Sequence, residues 1–506
     1  MNALVDPRRA RSFRFVRARY ADGVAELVYA FDDGPELVET IRFADAPVLP
    51  AERQRAFQAA LHLLHLIAGV SYYKAGVPDE IRVDSGSLND ASADLMDTLY
   101  RHGLAEFAYR NKLDLQDRIR FPRAREASLR PEQSSPPASP APPSSGLRTP
   151  SSASVGRENE QERLPAGEEG RGAGAASRKA TDATSPAPAL GLAQRTLIPI
   201  GGGKDSLVAI EAIKRMGGDA TVAWIGHSPL IAHCAERTGL PMLNIGRELS
   251  PILFEYNRMG AWNGHVPVTA VNSAILIVAA VLYGFDSIAF ANERSASAAT
   301  LEYEGQQVNH QWSKGFDFER RLQRWVHAHV AADLDYCSLL RPFAELAVTR
   351  AFARLGVDYF DAFSSCNRNF RILGPRPADR WCGQCPKCHF VFLALAPFVA
   401  KPRLLSIFGR NLLDDEEQRH GFDALMEYHE HKPFECVGEA AEARAAMYTL
   451  SQRPEWAEDT LIRRFVRDIL PQLDARQLAL QPWLEPSGEH CIPDRLAGAL
   501  DEIRHA

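Results

Sequence analysis

Apolar and polar residues alternate with a period of two along Ser12-Phe-Arg-Phe-Val-Arg-Ala-Arg-Tyr20, Ala25-Glu-Leu-Val-Tyr-Ala-Phe31 and Leu37-Val-Glu-Thr-Ile-Arg-Phe43. That alternation, broken only by short polar segments, predicts three antiparallel strands. Helical periodicity follows at about 51–68 and 88–110, so residues 1–125 read as an α+β domain of their own. Between these helices Tyr72, Tyr73 and Lys74 stand beside turn residues. Aromatics in such a place more often close a core than meet a substrate.

From 126 to 190 both periods vanish. Ser134-Ser-Pro-Pro-Ala-Ser-Pro-Ala-Pro-Pro143 typifies a stretch that lacks Phe, Tyr, Trp, Ile, Met and Cys. Such a composition buries too little apolar surface to offset the entropy of ordering it, and predicts a disordered tether. Beyond it, strands near 196–200, 220–225, 241–245 and 287–291 interleave with helices near 206–216, 229–238 and 266–283. This order predicts an α/β domain over 191–400, built on a parallel sheet covered on both faces. From 401 to 506, segments such as Thr460-Leu-Ile-Arg-Arg-Phe-Val-Arg-Asp-Ile-Leu470 predict a helical region.

The first strand of the parallel set runs into Gly201-Gly-Gly203 and then directly into the helix beginning Lys204-Asp205-Ser206. Glycines let the backbone turn tightly, and the free N–H groups of a helix's first turn favour an anion. A phosphate cradle is expected, formed by Gly201, Gly202, Gly203, Lys204, Asp205 and Ser206. It is not a Walker loop, because Asp205 follows Lys204 and the earlier glycine is missing; nor is it a dinucleotide fingerprint, because Ser206 stands where a glycine is required.

Composition narrows the partners. At 506 residues with 45% hydrophobic content the chain is long enough for two or three globular domains. A net charge of −6 and a pI near 6.2 give no broad attraction for nucleic acid or an anionic membrane, which favours a small-molecule substrate. Met1 to Val16 lacks the apolar run of a signal peptide. The longest apolar stretch, Val271 to Phe285, contains Asn272 and Ser273 and is too short to span a bilayer. A cytoplasmic protein is expected; neither its protein partners nor its oligomeric state can be read from these patterns.

Eight cysteines do not make a disulfide scaffold in a chain this long, and Cys382-Gly-Gln-Cys385-Pro-Lys-Cys388 crowds three of them together. With Cys366 they supply four thiolates, the number a closed tetrahedral zinc site needs. A metal-free cluster or a sulfur relay is the competing reading, and His389 is a possible substitute ligand. Asn292, Glu293, Arg294 and Ser295 follow a predicted strand and so face the ligand rim, where Glu293 is a candidate Mg2+ ligand through water. Asn309 to Asp317 gathers further polar groups that a solvated loop explains nearly as well.

The loop resembles the Ser-Gly-Gly-x-Asp-Ser motif of the PP-loop ATP pyrophosphatases, with Gly202, Gly203, Asp205 and Ser206 matching and Gly201 in place of serine. Lys204 is expected to supply a compensating cation. The block from Gly264 to Leu276, then Pro342 to Thr349, Ser364 to Asn367 and the cysteine cluster, follows the order found in the PP-loop enzymes that make 7-cyano-7-deazaguanine. The spacing between Cys366 and Cys382 departs from theirs.

The whole arrangement is most similar to the MurL family of peptidoglycan-precursor epimerases. It shares with them the N-terminal segment, the Ile198-Pro-Ile-Gly-Gly-Gly-Lys-Asp-Ser206 loop and the Asn292-Glu-Arg-Ser-Ala-Ser297 block. The resemblance implies ATP- and Mg2+-dependent inversion of the terminal L-glutamate of UDP-N-acetylmuramoyl-L-alanyl-L-glutamate, with release of AMP and diphosphate. Lys204, Asp205 and Glu293 would then serve activation, and His265, His310, Lys314 and Cys337 are candidates for moving the α-proton. A deazaguanine-type ligase, a tRNA-thiolating enzyme and a nucleotide-binding module are the other readings.

Overall fold

The three alternating stretches form β1 (Ser12–Ala21), β2 (Val24–Phe31) and β3 (Leu37–Phe43), paired antiparallel in sequence order. Asp22 and Gly23 both take positive φ (50° and 77°), the conformation that a tight hairpin turn requires between β1 and β2. A short β4 (Glu80–Val83) joins the far side of β1 in parallel. The computed structural model describes residues 6–124, 186–303, 305–370, 375–474, 476 and 478–506; of the tether expected over 126–190, residues 126–185 lie outside them, and Leu190 is tied down by donating its N–H to Asp333 Oδ1 at 2.8 Å.

The parallel strands are β5 (Ala193–Pro199), β6 (Ala220–Ile225), β7 (Met242–Glu248) and β8 (Phe285–Phe290), followed by the hairpin β9 (Leu301–Tyr303) and β10 (Gln306–Val308), and then β11 (Asp335–Ser338). The large sheet has nine strands in the order β11-β8-β5-β6-β7-β3-β2-β1-β4. Its parallel half turns in both directions from β5, so the strand order reverses beside β5, where open α/β sheets bind ligands. The glycine loop leaves β5 at that point.

The N-terminal strands, expected to form a domain of their own, continue this sheet instead. β3 pairs antiparallel with β7, placing Ile41 opposite Arg247 and Phe43 opposite Ile245. The junction pairs what would otherwise be an open strand edge, and Arg247 Nε donates to the buried Glu39 Oε1 at 2.7 Å across it. The helix Gln54–Ala68 packs on Val268–Tyr283 from the other half, so the apolar core is shared too. Tyr72 and Tyr73 are fully buried in that core, and Lys74 donates to Asn263 Oδ1 at 2.6 Å.

The segment read as one helix over 88–110 is two, Asp90–Gly103 and Ala105–Asn111. The break lets the second helix turn Glu106 inward, where it is buried. Beyond residue 400 the chain is helical, with Lys401–Phe408, Arg419–Met426, Ala440–Ser451 and Ala497–His505 packed about a second core that also takes in the helix Pro386–Leu395. Among the described residues no helix is long and apolar enough to cross a membrane.

Candidate active site

The glycine loop is held from outside. Gly202, at φ +75°, accepts from the Ser364 N–H through its carbonyl at 2.9 Å, and a Cβ on Gly203 would lie 2.6 Å from Ser365 Oγ. Gly201 is exposed, with nothing within 4 Å of where its Cβ would stand. The helix Lys204–Arg215 starts at Gly203 without a side-chain cap, while Ser206 Oγ accepts from the Gly201 N–H at 3.3 Å. A helix start without a side-chain cap, beside the exposed Gly201, fits a phosphate.

Lys204, expected to compensate for the missing serine, points inward to two carboxylates. Its side chain is fully buried and its ammonium donates to both Asp205 and Glu345. Burial opposes the charge, but the two carboxylates outweigh it and hold Lys204 above its ordinary value. Burial also acts on the carboxylates: it is overcome at Asp205, held low by Lys204 and Lys387, and it prevails at Glu345, which is pushed up. Glu345 begins the helix Glu345–Leu355, and its neighbour Leu346 donates its N–H to Glu442 Oε1 at 3.0 Å. Burial pushes Glu442 up to about 8.

Glu293, on the rim after β8, is buried. Its Oε2 accepts from Ser295 Oγ at 3.0 Å and from the Ala296 N–H at 2.8 Å, so one oxygen is committed to capping the turn Arg294–Ser297. Asn292 donates its N–H to Ser338 Oγ at 2.7 Å, and Arg294 turns away to Ser487.

A second polar cluster adjoins the first. His310 Nδ1 hydrogen-bonds Glu106, the His265 ring centroid lies 4.4 Å from that of His310, and Arg110 Nε donates to Glu106 at 2.6 Å. On the other side of His310 is Cys436, half-buried, whose sulfur accepts from Lys314 Nζ at 3.2 Å. Burial works against the thiolate, but Lys314, His310 and Lys387 overcome it and bring Cys436 down to about 6. Conversely, Cys436 and Glu106 overcome the burial of His310 and raise it to about 9, while burial and the neighbouring His310 lower His265 to about 4. Lys314 joins the clusters, since Cys436, Asp205 and Glu293 all help to keep it charged.

Donor atoms of Glu106, His265 and His310 lie within 4.8 Å of one another. The ammonium of Lys314 and the guanidinium of Arg110 crowd the same space with positive charge, so the trio reads as a hydrogen-bonded relay rather than an ion cage. Cys337, one of the candidates for proton transfer, is not here. It is fully buried in β11, and burial pushes its thiol well up.

Cys436 was the group that sequence patterns missed. Its only local signal is the capping box formed by Glu439 and Glu442 at the start of Ala440–Ser451, which fixes the turn carrying Cys436. A cleft of about 910 Å3 opens beside it, lined by Tyr109, Arg110, Tyr303, His431, Phe434 and Glu435 among others.

Cys366, Cys382, Cys385 and Cys388 converge with all four sulfurs within 4.8 Å of one another. Four sulfurs bonded to zinc at about 2.3 Å stand roughly 3.8 Å apart. Cys382 and Cys388 at 3.8 Å, and Cys385 and Cys388 at 3.5 Å, match that geometry. Gly383, at φ +65°, bends the chain between the ligands, and Arg410 Nη2 donates to its carbonyl at 2.8 Å. His389, the possible substitute ligand, stands outside the set of four sulfurs, and its Nε2 hydrogen-bonds Gln418 Oε1 at 2.9 Å. The knuckle lies directly behind the glycine loop through Ser364 and Ser365, which precede Cys366.

Comparison with known proteins bears on the whole length. The model of the MurL N-terminal domain matches residues 5–143 and 166–339, and that of the MurL C-terminal domain matches 362–479. A UDP-N-acetyl-alpha-D-muramoyl-L-alanyl-L-glutamate epimerase of Xanthomonas oryzae pv. oryzae is 53% identical, covering 97% of this chain and 97% of its own. Epimerases of the same name from Salinispora tropica and a Micromonospora species are 34% and 36% identical; the first covers 98% of this chain and 97% of its own, the second 95% of each. Both the strand-built half with its glycine loop and the helical half with Cys436 thus fall within one alignment, and the chain belongs to the MurL family of UDP-N-acetyl-alpha-D-muramoyl-L-alanyl-L-glutamate epimerases.

Proposed function

We propose that this chain inverts the terminal L-glutamate of UDP-N-acetylmuramoyl-L-alanyl-L-glutamate to D-glutamate in peptidoglycan precursor synthesis, consuming ATP with Mg2+ and releasing AMP and diphosphate. The observation that carries the reading is the junction of two clusters through Lys314: an uncapped, glycine-lined helix start with buried carboxylates, and a relay of titratable groups beside an open cleft. The first suits activation of a carboxylate by a PP-loop domain. The second suits movement of a proton.

The chemistry needs both. An ionised α-carboxylate makes loss of the neighbouring proton very unfavourable, because a carbanion would form beside a negative charge; converting it to an acyl-adenylate removes that charge. In this reading the N–H groups of the loop and helix start receive the phosphates, and Asp205, with Glu293 through water, serves magnesium. Lys204 and Glu345 set the charge on Asp205. Zinc held by Cys366, Cys382, Cys385 and Cys388 would be structural, and would brace Ser364 and Ser365 against the loop. The cleft is wide enough for the nucleotide-sugar end of the substrate, with Arg110 and the tyrosines for phosphate and ring contacts. The reaction belongs in the cytoplasm, where both ATP and reduced thiols are available.

The test is pyrophosphate exchange into ATP. Exchange that depends on the muramoyl dipeptide is expected. Exchange absent with that substrate in active protein would overturn the reading, and AMP formation without inversion would point to an amide- or nitrile-forming ligase.

A further inference from the structure

Resting on that function, we propose that Cys436 is the base that removes the α-proton of the activated glutamyl residue, with Lys314 and His310 holding its sulfur as a thiolate between turnovers.

Among the eight cysteines, all within the described residues, Cys436 is the one whose sulfur takes a hydrogen bond from a charged side chain. Cys234 and Cys337 are buried in the core, and burial pushes both thiols up. Cys366, Cys382, Cys385 and Cys388 face one another. Cys491 is pushed up to about 11, first by burial. Cys436 is half-buried, follows the cleft residues Phe434 and Glu435, and takes a 3.2 Å hydrogen bond from Lys314.

Its position is over-determined. Val437 is buried, a Cβ on Gly438 would lie 2.6 Å from the ring of Phe390, and Glu439 starts a helix with a reciprocal cap. Charged and titratable groups reach it from three directions: Lys314 and His310 from the segment after β10, Lys387 from the helix Pro386–Leu395, and Glu435 from its own turn. Glu106 and His265 act on it through His310. Positive neighbours predominate at the sulfur, so a thiolate near neutrality is the expected state. A base whose pKa lies near the working pH is the efficient one for proton transfer.

In the step, the Cα–H bond breaks and an S–H bond forms, while the electron pair moves onto the oxygen of the activated carbonyl. A solvent-derived proton then adds to the opposite face and the carbonyl is restored. The thiol returns its proton to solvent, so no oxidant, reductant or further reactant is consumed.

The test separates this step from activation. Wild type and Cys436→Ala are incubated in D2O with ATP, Mg2+ and the muramoyl dipeptide, and followed for pyrophosphate exchange and for deuterium at the glutamyl α-carbon. The expected result for the variant is continued pyrophosphate exchange with α-deuteration slowed by about 10²–10⁴-fold. Deuteration within threefold of wild type overturns the proposal. So does a covalent adduct of the dipeptidyl group on Cys436 in acid-quenched wild type, which would make the sulfur a nucleophile. If wild type shows neither exchange nor deuteration, the functional reading fails instead.

A second measurement needs no variant. Iodoacetamide labelling of Cys436 in the native enzyme, followed by peptide mass, should reach half its maximal rate near pH 6 and slow when the muramoyl dipeptide is bound. A midpoint near about 8.5, the ordinary thiol value, overturns the proposal.

Discussion

Two groups of cysteines in this molecule show how differently the same atom is used. In the knuckle, four sulfurs face one another in a closed set packed against the second apolar core. At Cys436 one sulfur faces an ammonium and an imidazole at the edge of a cleft. A closed set of thiolates is suited to a metal; a solitary thiolate among cations retains a free lone pair for a proton. The contrast separates what holds this site together from what would do its chemistry.

The widest split should come from comparing Cys385→Ala with Cys436→Ala. Removing Cys385 opens the metal set, and loss of bound zinc with upwards of about 4 kcal/mol of stability is expected, read by zinc analysis and urea unfolding. Cys436→Ala should keep its zinc and most of its stability while losing α-deuteration. Equal destabilisation of both would erase the distinction.

Lys204→Met probes the activation side. It leaves Asp205 and Glu345 facing each other in the interior without their shared cation. A loss of about 3–5 kcal/mol is expected, together with a fall in AMP formation on the order of 10²–10³. Urea unfolding and AMP assays read these separately. Unchanged AMP formation in folded variant protein would remove Lys204 from activation.

The pH profile sharpens the other side. With Cys436 near 6 and His310 near 9, kcat/KM should rise with pH through about 6 as the thiolate forms, and fall through about 9 as the imidazolium is lost. Because His310 lowers the thiol, His310→Gln should move the acid limb to higher pH, with a loss on the order of tenfold at pH 6.5 and less at pH 8. An unmoved acid limb would detach His310 from Cys436. The smallest effect should be that of Gly203→Ala, which presses on Ser365 Oγ and can be relieved by rotating that side chain. A rise of about threefold in the KM for ATP is expected, below 1 kcal/mol.

The same contrast explains what could be read in the sequence. The knuckle and the glycine loop are contiguous or nearly so, and their spacing carries their geometry: Cys382, Cys385 and Cys388 sit within one turn and the start of one helix. The period of two in β1 and β3 likewise survives because each of them mainly buries one face, whereas β2 is buried on both faces from Leu27 to Phe31. Pairing of β3 with β7 left no such trace, since edge pairing is a backbone property that side-chain patterns do not encode. The relay was less legible still. Glu106, His265, His310, Lys314 and Cys436 come from segments spread over more than three hundred residues, and each has ordinary neighbours. Cys337 shares only its residue type with Cys436; its burial in β11 sets it apart. The pairing of Lys204 with Glu345 left no local trace either, because the two are distant in sequence.

The most direct measurement is the chirality of glutamate recovered after purified protein is incubated with UDP-N-acetylmuramoyl-L-alanyl-L-glutamate, ATP and Mg2+. D-glutamate is expected, in step with AMP, and none when ATP is omitted. Recovery of L-glutamate alone from protein that has consumed ATP would contradict the function proposed for this site.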